Sequence, residues 1–313
     1  MNIVFMGTPD FAVPCLERLI NDGHNILAVV TREDKPVGRK KILTPPPIKV
    51  TACDNNIPVL QPKKLKDNDD IYFKLKELNP DLIVVVAYGR ILTKEILSLP
   101  KFGCVNVHGS LLPKYRGASP IQWSIVCGDT LTGVTTMLMD EGLDTGDMLL
   151  KREIEITKND TYETLHDKMS VVGAEALAET ISLLEKGNII PKKQPNDGVS
   201  YAPIITKQMG QLDFRKSAEE LDCLVRGFTP WPLSYFYYDG RRFKVYSAAV
   251  SEKTAKEPGT LFYEKGKILI ACGNLSALEI KEICPDGSKK MNAASFINGR
   301  FIEDETRICF IEE

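Results

Sequence analysis

The sequence of 313 residues lacks the features that identify several large classes of protein. It contains no apolar run long enough to cross a bilayer, and Met1 leads directly into a short apolar stretch rather than a signal peptide. We therefore expect a cytoplasmic protein with no membrane partner. The formal net charge of −2 excludes a chain that is basic throughout, so a nucleic-acid partner would have to use a local basic patch.

Common metal and nucleotide motifs are also missing. None of the eight cysteines are spaced C-x-x-C, which disfavours a zinc site and is typical of a reduced intracellular protein. Gly7 lacks the further glycines of G-x-G-x-x-G, and the chain contains neither G-K-[ST] nor G-x-S-x-G. The sequence thus favours neither dinucleotide binding, nor a P-loop, nor an α/β-hydrolase, and we expect no metal.

The first part of the chain alternates short apolar runs with helical patterns. Residues 2–6, 26–30 and 82–87 are continuous apolar runs, as expected for parallel strands that are buried on both faces. Helical spacing lies between these runs. Repeated β-α units predict an α/β fold over residues 1–189, with a doubly wound, mostly parallel, Rossmann-like sheet.

The texture of the sequence changes after this region. Residues 190–205 contain several prolines and no periodicity, which predicts a linker. Residues 206–313 then contain short apolar segments separated by Asp-Gly and Pro-Gly turns. This spacing predicts a small OB-like β-barrel as the carboxyl-terminal domain.

Polar side chains end one of the predicted strands, in the stretch NVHGS. On an extended strand Asn106 and His108 project from the same face, and sites in open α/β sheets form beyond the carboxyl ends of strands. An amide donor beside an imidazole suits acyl transfer, because the amide stabilises an oxyanion and the imidazole moves a proton. A strand end whose polar groups merely bond to backbone is the alternative, and these two residues alone do not exclude it.

Cys104 lies on the same face and raises the possibility of a Cys-His nucleophile. Four strand residues separate Cys104 from His108, which is roughly 13 Å and far beyond hydrogen-bond reach. We therefore expect a structural, buried thiol.

The loop MDEGLDTGDM, residues 139–148, follows the next predicted strand and contains several carboxylates. It does not fit an EF-hand, because Thr145 replaces the required glycine and Lys151 stands at the position of the bidentate glutamate. A loop that brings one aspartate to His108 would orient the imidazole. An acidic surface turn is the other interpretation.

Four stretches taken together resemble the folate-dependent formyltransferases: GTPDFAVPCLERL, VVVAYGRIL, NVHGSLLPKYRGASPIQW and TGVTTMLMDEGLDTGDM. The resemblance spans nearly the whole chain, including residues 201–214 and 228–232. It implies transfer of a formyl group from 10-formyltetrahydrofolate, the folate co-substrate, to the α-amino group of methionine on initiator methionyl-tRNA, a step of translation initiation. It implies no metal.

The resemblance also implies functional residues. The positions that match are Asn106, His108 and Asp144 for catalysis, and Ser110, Leu111, Leu112 and Pro113 for folate binding. The two leucines would offer an apolar wall to a flat heterocycle, and Pro113 would fix the turn.

A basic loop favours tRNA as the acceptor. Residues 31–49 contain six basic and two acidic side chains, and the resemblance assigns tRNA binding to Arg39, Lys40 and Lys41. A solvated charged loop is the plainer interpretation. The rival functions are a formyltransferase acting on a nucleotide-sugar amine and a folate-only hydrolase, neither of which would need a basic loop, and a non-catalytic RNA-binding protein. We expect a monomer.

Overall fold

The computed structural model describes residues 1–38 and 40–308, which form two compact units. The first unit comprises residues 1–120, 131–155 and 166–202, and the second comprises residues 121–130, 156–165 and the described residues from 203 onward. Within the described residues, no helix combines the length and apolar character that crossing a bilayer requires.

The first unit contains a large sheet flanked by helices. Its strands are β1 (Asn2–Gly7), β2 (Asn25–Val30), β3 (Lys35–Val37), β4 (Ile42–Thr44), β5 (Val59–Leu60), β6 (Leu82–Val86), β7 (Cys104–His108), β8 (Arg116–Gly117), β9 (Leu131–Leu138), β10 (Met148–Glu155) and β11 (Tyr201–Ala202). The helices up to residue 185 are α1 (Val13–Asn21), α2 (Pro47–Asp54), α3 (Asp69–Leu78), α4 (Lys94–Leu97), α5 (Pro120–Val126) and α6 (Tyr162–Glu185).

The main sheet has the order β10-β9-β7-β6-β1-β2-β5. Strands β5, β2, β1, β6 and β7 are parallel, whereas β9 and β10 add an antiparallel edge beside β7. Every residue of β6 and β7 is buried, and burial on both faces explains the continuous apolar character of β6. The predicted Rossmann-like, mostly parallel sheet is confirmed.

Helix α6 covers the face of β7 opposite to the polar side chains. Gly173 allows this close approach, because a Cβ at that position would lie 3.2 Å from Val107 Cγ1 and 3.7 Å from Val134 Cγ1. Val107 lies between Asn106 and His108 in β7, so the packing of α6 fixes the strand that carries both polar groups.

The second unit is built on an antiparallel sheet. Its elements after residue 203 are α7 (Ala218–Gly227), β12 (Ser234–Tyr238), β13 (Arg241–Ser251), β14 (Thr260–Glu264), β15 (Lys267–Ala271), β16 (Ala277–Pro285), β17 (Met291–Asn292), α8 (Ala293–Asn298) and β18 (Thr306–Arg307). The strand order is β12-β13-β16-β15-β14-β18, with β17 paired to β16. This topology confirms the predicted small, barrel-like β domain.

Aromatic residues fill the core of this second unit. The rings of Phe236 and Phe243 stack with centroids 5.3 Å apart, and Phe296 meets Phe243 edge-on. Phe214 belongs to the same core. Helix α7 begins with a capping box between Ser217 and Glu220, which satisfies two backbone N–H groups at the start of the helix.

The structure adds two features to the sequence-based outline of the first unit. β3 and β4 form an antiparallel hairpin inside the proline-rich loop, and β10 follows the acidic loop. The segment predicted as a linker, residues 190–205, also makes ordered contacts: Lys192 pairs with Met148, and β11 pairs with β8. The boundaries of the predicted domains stay a prediction.

Candidate active site

The end of β7 presents an amide that has no partner among the described residues. The side chain of Asn106 is 9% exposed, and its carboxamide makes no hydrogen bond within the described part of the protein. Its polar atoms are not among the fully buried side-chain atoms that lack a partner, so the carboxamide keeps access to solvent and is available to a ligand at the strand end. The interpretation that Asn106 merely bonds to nearby backbone is therefore not what the structure shows.

His108 lies between two oxygen acceptors. Its Nε2 is 2.9 Å from the carbonyl oxygen of Tyr115, which can only accept, so Nε2 carries a proton. Its Nδ1 lies 3.7 Å from Asp144 Oδ1. An imidazolium at this position would donate to Tyr115 and place its second N–H towards the Asp144 carboxylate. The structure thus brings together the predicted pair His108 and Asp144.

Asp144 is held by backbone from a second segment. The N–H of Gly117 donates to Asp144 Oδ2 at 2.8 Å. Asp144 itself adopts a left-handed conformation, with φ of 52°, which is strained for a residue other than glycine. Gly146, two residues on, packs so closely that a Cβ there would lie 1.7 Å from the carbonyl oxygen of Leu138. The acidic loop is therefore a tightly shaped support for one carboxylate and is not a free surface turn.

The turn after β7 is supported from β9. Thr135 Oγ1 donates to the carbonyl of Ser110 at 2.7 Å and accepts from the N–H of Leu112 at 3.1 Å. The hydroxyl of Ser110 donates to the carbonyl of Lys114 at 2.6 Å. The carbonyl and the hydroxyl of Ser110 thus both form hydrogen bonds within the protein.

The four predicted folate-binding residues differ in accessibility. Ser110 and Leu112 have no exposed surface, whereas Leu111 and Pro113 are partly exposed. Lys151 of β10 donates from its ammonium group to the carbonyl of Leu112. Burial lowers the pKa of Lys151, and the charge of Glu153 partly opposes that effect. Lys151 is a site feature that sequence spacing did not indicate.

Cys104 does not take part in this arrangement. Burial raises the pKa of its thiol to about 12, and the thiol donates to the carbonyl of Ile96 at 3.8 Å. A thiolate nucleophile requires the opposite environment. The expectation of a structural, buried thiol is confirmed.

Two of the predicted tRNA-binding residues, Lys40 and Lys41, lie in the β3–β4 hairpin. Lys40 and Lys41 are exposed between the two strands, and Arg39 falls outside the described residues. At the base of the hairpin, Lys49 Nζ bonds to Asp34 Oδ1 at 2.8 Å. Hydrogen bonds from Gln61 and then Lys49 lower the pKa of Asp34. The exposed lysines of the hairpin therefore lie on a segment whose base is held by the Lys49–Asp34 ion pair.

Sequence reasoning missed the residues between 192 and 202 that bond to the Asp144 loop and to the backbone of Tyr115. Gln194 donates to the carbonyls of Asp144 and Gly146, and Ser200 accepts from the N–H of Tyr115. Their only signal in the sequence is their place in an aperiodic, proline-containing stretch. Among the described residues, no group of three or more His, Cys, Asp or Glu could hold a metal ion.

Two family models match the sequence. The model described as "Formyl transferase" matches residues 1–181, and the model described as "Formyl transferase, C-terminal domain" matches residues 204–300. Together these matches cover most of the chain and include β7, its following turn and the loop of Asp144.

Curated relatives match over nearly their whole length. A protein of Caldanaerobacter subterraneus subsp. tengcongensis named methionyl-tRNA formyltransferase is 50% identical over 98% of this chain and 99% of its own. Proteins of the same name from Clostridioides difficile and Bacillus subtilis are 52% and 47% identical, over 97% and 96% of this chain and 98% and 95% of their own.

Solved structures with a similar fold are more distant in sequence. WlaRD, a sugar 3N-formyl transferase crystallised with dTDP and 5-N-formyl-THF, gives a TM-score of 0.68 at 19% identity and covers 90% of this chain and 97% of its own. An N-formyltransferase from Helicobacter canadensis, in complex with folinic acid and dTDP-3-aminofucose, gives a TM-score of 0.69 at 19% identity. The match covers 89% of this chain and 98% of its own. At these identities the likeness concerns the fold.

Proposed function

The chain belongs to the formyl transferase family, and we propose that it transfers a formyl group from 10-formyltetrahydrofolate to the α-amino group of methionine on initiator methionyl-tRNA. The observation that supports this acceptor most strongly is the set of relatives named methionyl-tRNA formyltransferase, about half identical and matched from end to end. The sugar formyltransferases with a similar fold share only 19% of residues, which supports the nucleotide-sugar alternative far less.

In the proposed reaction, the amine nitrogen of methionine attacks the formyl carbon and forms a new C–N bond. The carbonyl oxygen becomes an oxyanion, and the carboxamide of Asn106 donates a hydrogen bond to it. This role fits an accessible amide on a largely buried side chain, with no partner within the described part of the protein. Preorganised donors of this kind stabilise the transition state without reorganisation at the moment of reaction.

His108 and Asp144 handle the protons of this step. The bond from the formyl carbon to the folate nitrogen breaks, the attacking amine loses a proton, and the folate nitrogen gains one. An imidazole with a carboxylate 3.7 Å from Nδ1 can accept and return such a proton while the carboxylate stabilises its charge. The Tyr115 carbonyl keeps the ring in one orientation.

We propose that the turn of residues 110–113 contacts the folate. Leu111 and Pro113 offer accessible apolar surface, while the buried Ser110 and Leu112 shape the turn through their hydrogen bonds. The apolar part of this surface suits the flat ring system of folate.

Arg39, Lys40 and Lys41 are proposed to contact tRNA phosphates. The charges of Lys40 and Lys41 are exposed and local, in a chain whose formal net charge is −2. We further propose residues 1–189 as the catalytic domain, 190–205 as the connection and 206–313 as an accessory tRNA-binding domain. The enzyme is proposed to act as a monomer. It is proposed to act in the cytoplasm, where charged tRNA is found.

The test is a transfer assay with radiolabelled 10-formyltetrahydrofolate and charged initiator tRNA. The proposal predicts that label becomes covalently attached to methionyl-tRNA, and that uncharged tRNA remains unlabelled. Asp144→Asn, which keeps the size of the side chain, should reduce the rate strongly. Absence of label on methionyl-tRNA with the wild-type enzyme would refute the proposed acceptor.

A further inference from the structure

The segment of residues 192–202 lies far from His108 and Asp144 in sequence. It contacts the loop that carries Asp144 and the backbone of Tyr115, whose carbonyl bonds to His108. Gln194 Nε2 donates to the carbonyl of Asp144 at 2.7 Å and to the carbonyl of Gly146 at 2.9 Å. Gln194 Oε1 accepts from Arg116 at 3.0 Å from Nε and 2.7 Å from Nη2. One side chain therefore joins the loop of Asp144 to the strand that follows the turn.

The chemistry of these partners fixes the orientation of the Gln194 amide. The guanidinium of Arg116 only donates, so it must face the amide oxygen, and the two carbonyls only accept, so they must face the NH₂ group. Each of the four contacts would be lost or repulsive if the amide were turned around. Gln194 is thus a two-sided connection with a single satisfied arrangement.

Ser200 makes the corresponding connection to His108. Its hydroxyl accepts from the N–H of Tyr115 at 2.9 Å, and its carbonyl accepts from the N–H of Arg116 at 2.9 Å. The carbonyl of Tyr115 is the group that bonds to His108 Nε2. Tyr115 itself has a left-handed backbone, with φ of 59°, so its conformation depends on external contacts.

We propose that Gln194 and Ser200 are positioning residues for the reaction, which set the distance and orientation between Asp144 and His108. The proposal rests on the proposed function of these two groups. Asp144 has a left-handed backbone and contacts His108 at 3.7 Å rather than at hydrogen-bond distance, so a small movement of its loop decides whether the pair acts together. Misplacement of a catalytic group by about 1 Å can cost on the order of 100-fold in rate.

The test for Gln194 is a double-mutant cycle with Asp144. Gln194→Ala should lower kcat by roughly 10- to 100-fold while KM for methionyl-tRNA stays close to wild type, since the hairpin is unaffected. Gln194→Glu should show a similar loss, because it keeps an acceptor for Arg116 but removes both donors to the Asp144 loop. Asn196→Ala, an exposed neighbour in the same segment, is the control and should behave as wild type.

The decisive comparison is the effect of Gln194→Ala in an Asp144→Asn background. If Gln194 acts through Asp144, the substitution adds little once the carboxylate is gone. An equal fold-loss in both backgrounds, or wild-type turnover of Gln194→Ala, would overturn the proposal. Thermal unfolding of each variant shows whether a loss of activity is a loss of folding, and Gln194→Glu retains the size of the side chain if Gln194→Ala folds poorly.

A spectroscopic readout separates this proposal from the proposed acceptor. In protein labelled with ¹⁵N-histidine, the His108 signals can be assigned by loss in His108→Ala. They should move in Gln194→Ala towards their positions in Asp144→Asn, and should not move in Asn196→Ala. Unmoved signals in Gln194→Ala would contradict the positioning role, whether or not the wild type formylates methionyl-tRNA. A lack of formylation by wild type with the expected signal changes would refute only the acceptor.

Discussion

At the scale of single residues, the candidate site contains groups that do not favour the stability of the fold. Asp144 and Tyr115 have left-handed backbones, and the carboxamide of Asn106 makes no hydrogen bond within the described residues. Left-handed backbones at residues other than glycine cost free energy and persist where the surrounding structure over-determines them. Their concentration around one imidazole indicates that this part of the protein is shaped by chemistry rather than by packing.

Replacing Asn106 tests this interpretation. Asn106→Ala and Asn106→Asp both remove the amide donor. Each should lower kcat, because the activation free energy should rise by an amount on the order of 3 kcal/mol. Since the carboxamide has no partner to lose, the free energy of unfolding of Asn106→Ala should change by less than about 1 kcal/mol. Steady-state kinetics and chemical denaturation measure the two effects. Turnover near wild type in both variants would remove Asn106 from the mechanism.

Sequence patterns predicted some site residues and not others, for a physical reason. Asn106 and His108 are two residues apart on a strand that ends at a sheet edge, so local periodicity was enough to place them on one face. Gln194 reaches Asp144 across 50 residues of chain through side-chain hydrogen bonds, and spacing contains no information about such a contact. Strand β6 at the sheet centre was predictable because it is apolar throughout. β10 was missed because it is an edge strand in which exposed charged residues alternate with partly buried ones.

At the scale of elements, the contact between α6 and β7 links stability to the site. A Cβ at Gly173 would lie 3.2 Å from Val107 Cγ1, which is tighter than ordinary contact, and the neighbours of Val107 in β7 are Asn106 and His108. Packing of α6 on β7 at this position should therefore affect both the stability of the sheet and the placement of Asn106 and His108.

Gly173→Leu should destabilise the protein and lower its activity together. Overpacking of this kind costs roughly 1–3 kcal/mol, which chemical denaturation would measure as a lower free energy of unfolding. Val171→Leu, on an exposed position of the same helix, should change that free energy by no more than about 0.5 kcal/mol. Equal stability of the two variants would show that α6 does not pack on β7 as described.

In the proposed function, the β3–β4 hairpin is the element that separates a nucleic-acid substrate from a small amine. Replacing Arg39, Lys40 and Lys41 with alanine should raise KM for methionyl-tRNA and reduce the dependence of that KM on salt, because fewer phosphates are neutralised. KM for the folate donor should hardly change. The measurement is KM for both substrates at two salt concentrations.

The control for this experiment preserves charge. Lys40→Arg with Lys41→Arg should keep both the KM and its dependence on salt close to wild type. An alanine variant with unchanged tRNA kinetics would mean that the hairpin is a solvated loop, and a smaller amine would then be the better acceptor.

At the scale of the whole molecule, the chain combines a mostly parallel sheet with a second, antiparallel β unit, and both match formyl transferase models. The folds of sugar formyltransferases are similar at 19% identity, so architecture by itself does not choose the acceptor. The choice depends on the basic hairpin and on the relatives that match from end to end.

The most direct measurement is the selectivity between acceptors. With saturating 10-formyltetrahydrofolate, kcat/KM is determined for charged initiator tRNA, for free methionine methyl ester and for a nucleotide-linked amino sugar. The account predicts efficient formylation of the charged tRNA and little transfer to either small amine. Transfer to the amino sugar with a kcat/KM equal to or above that for the charged tRNA would contradict it.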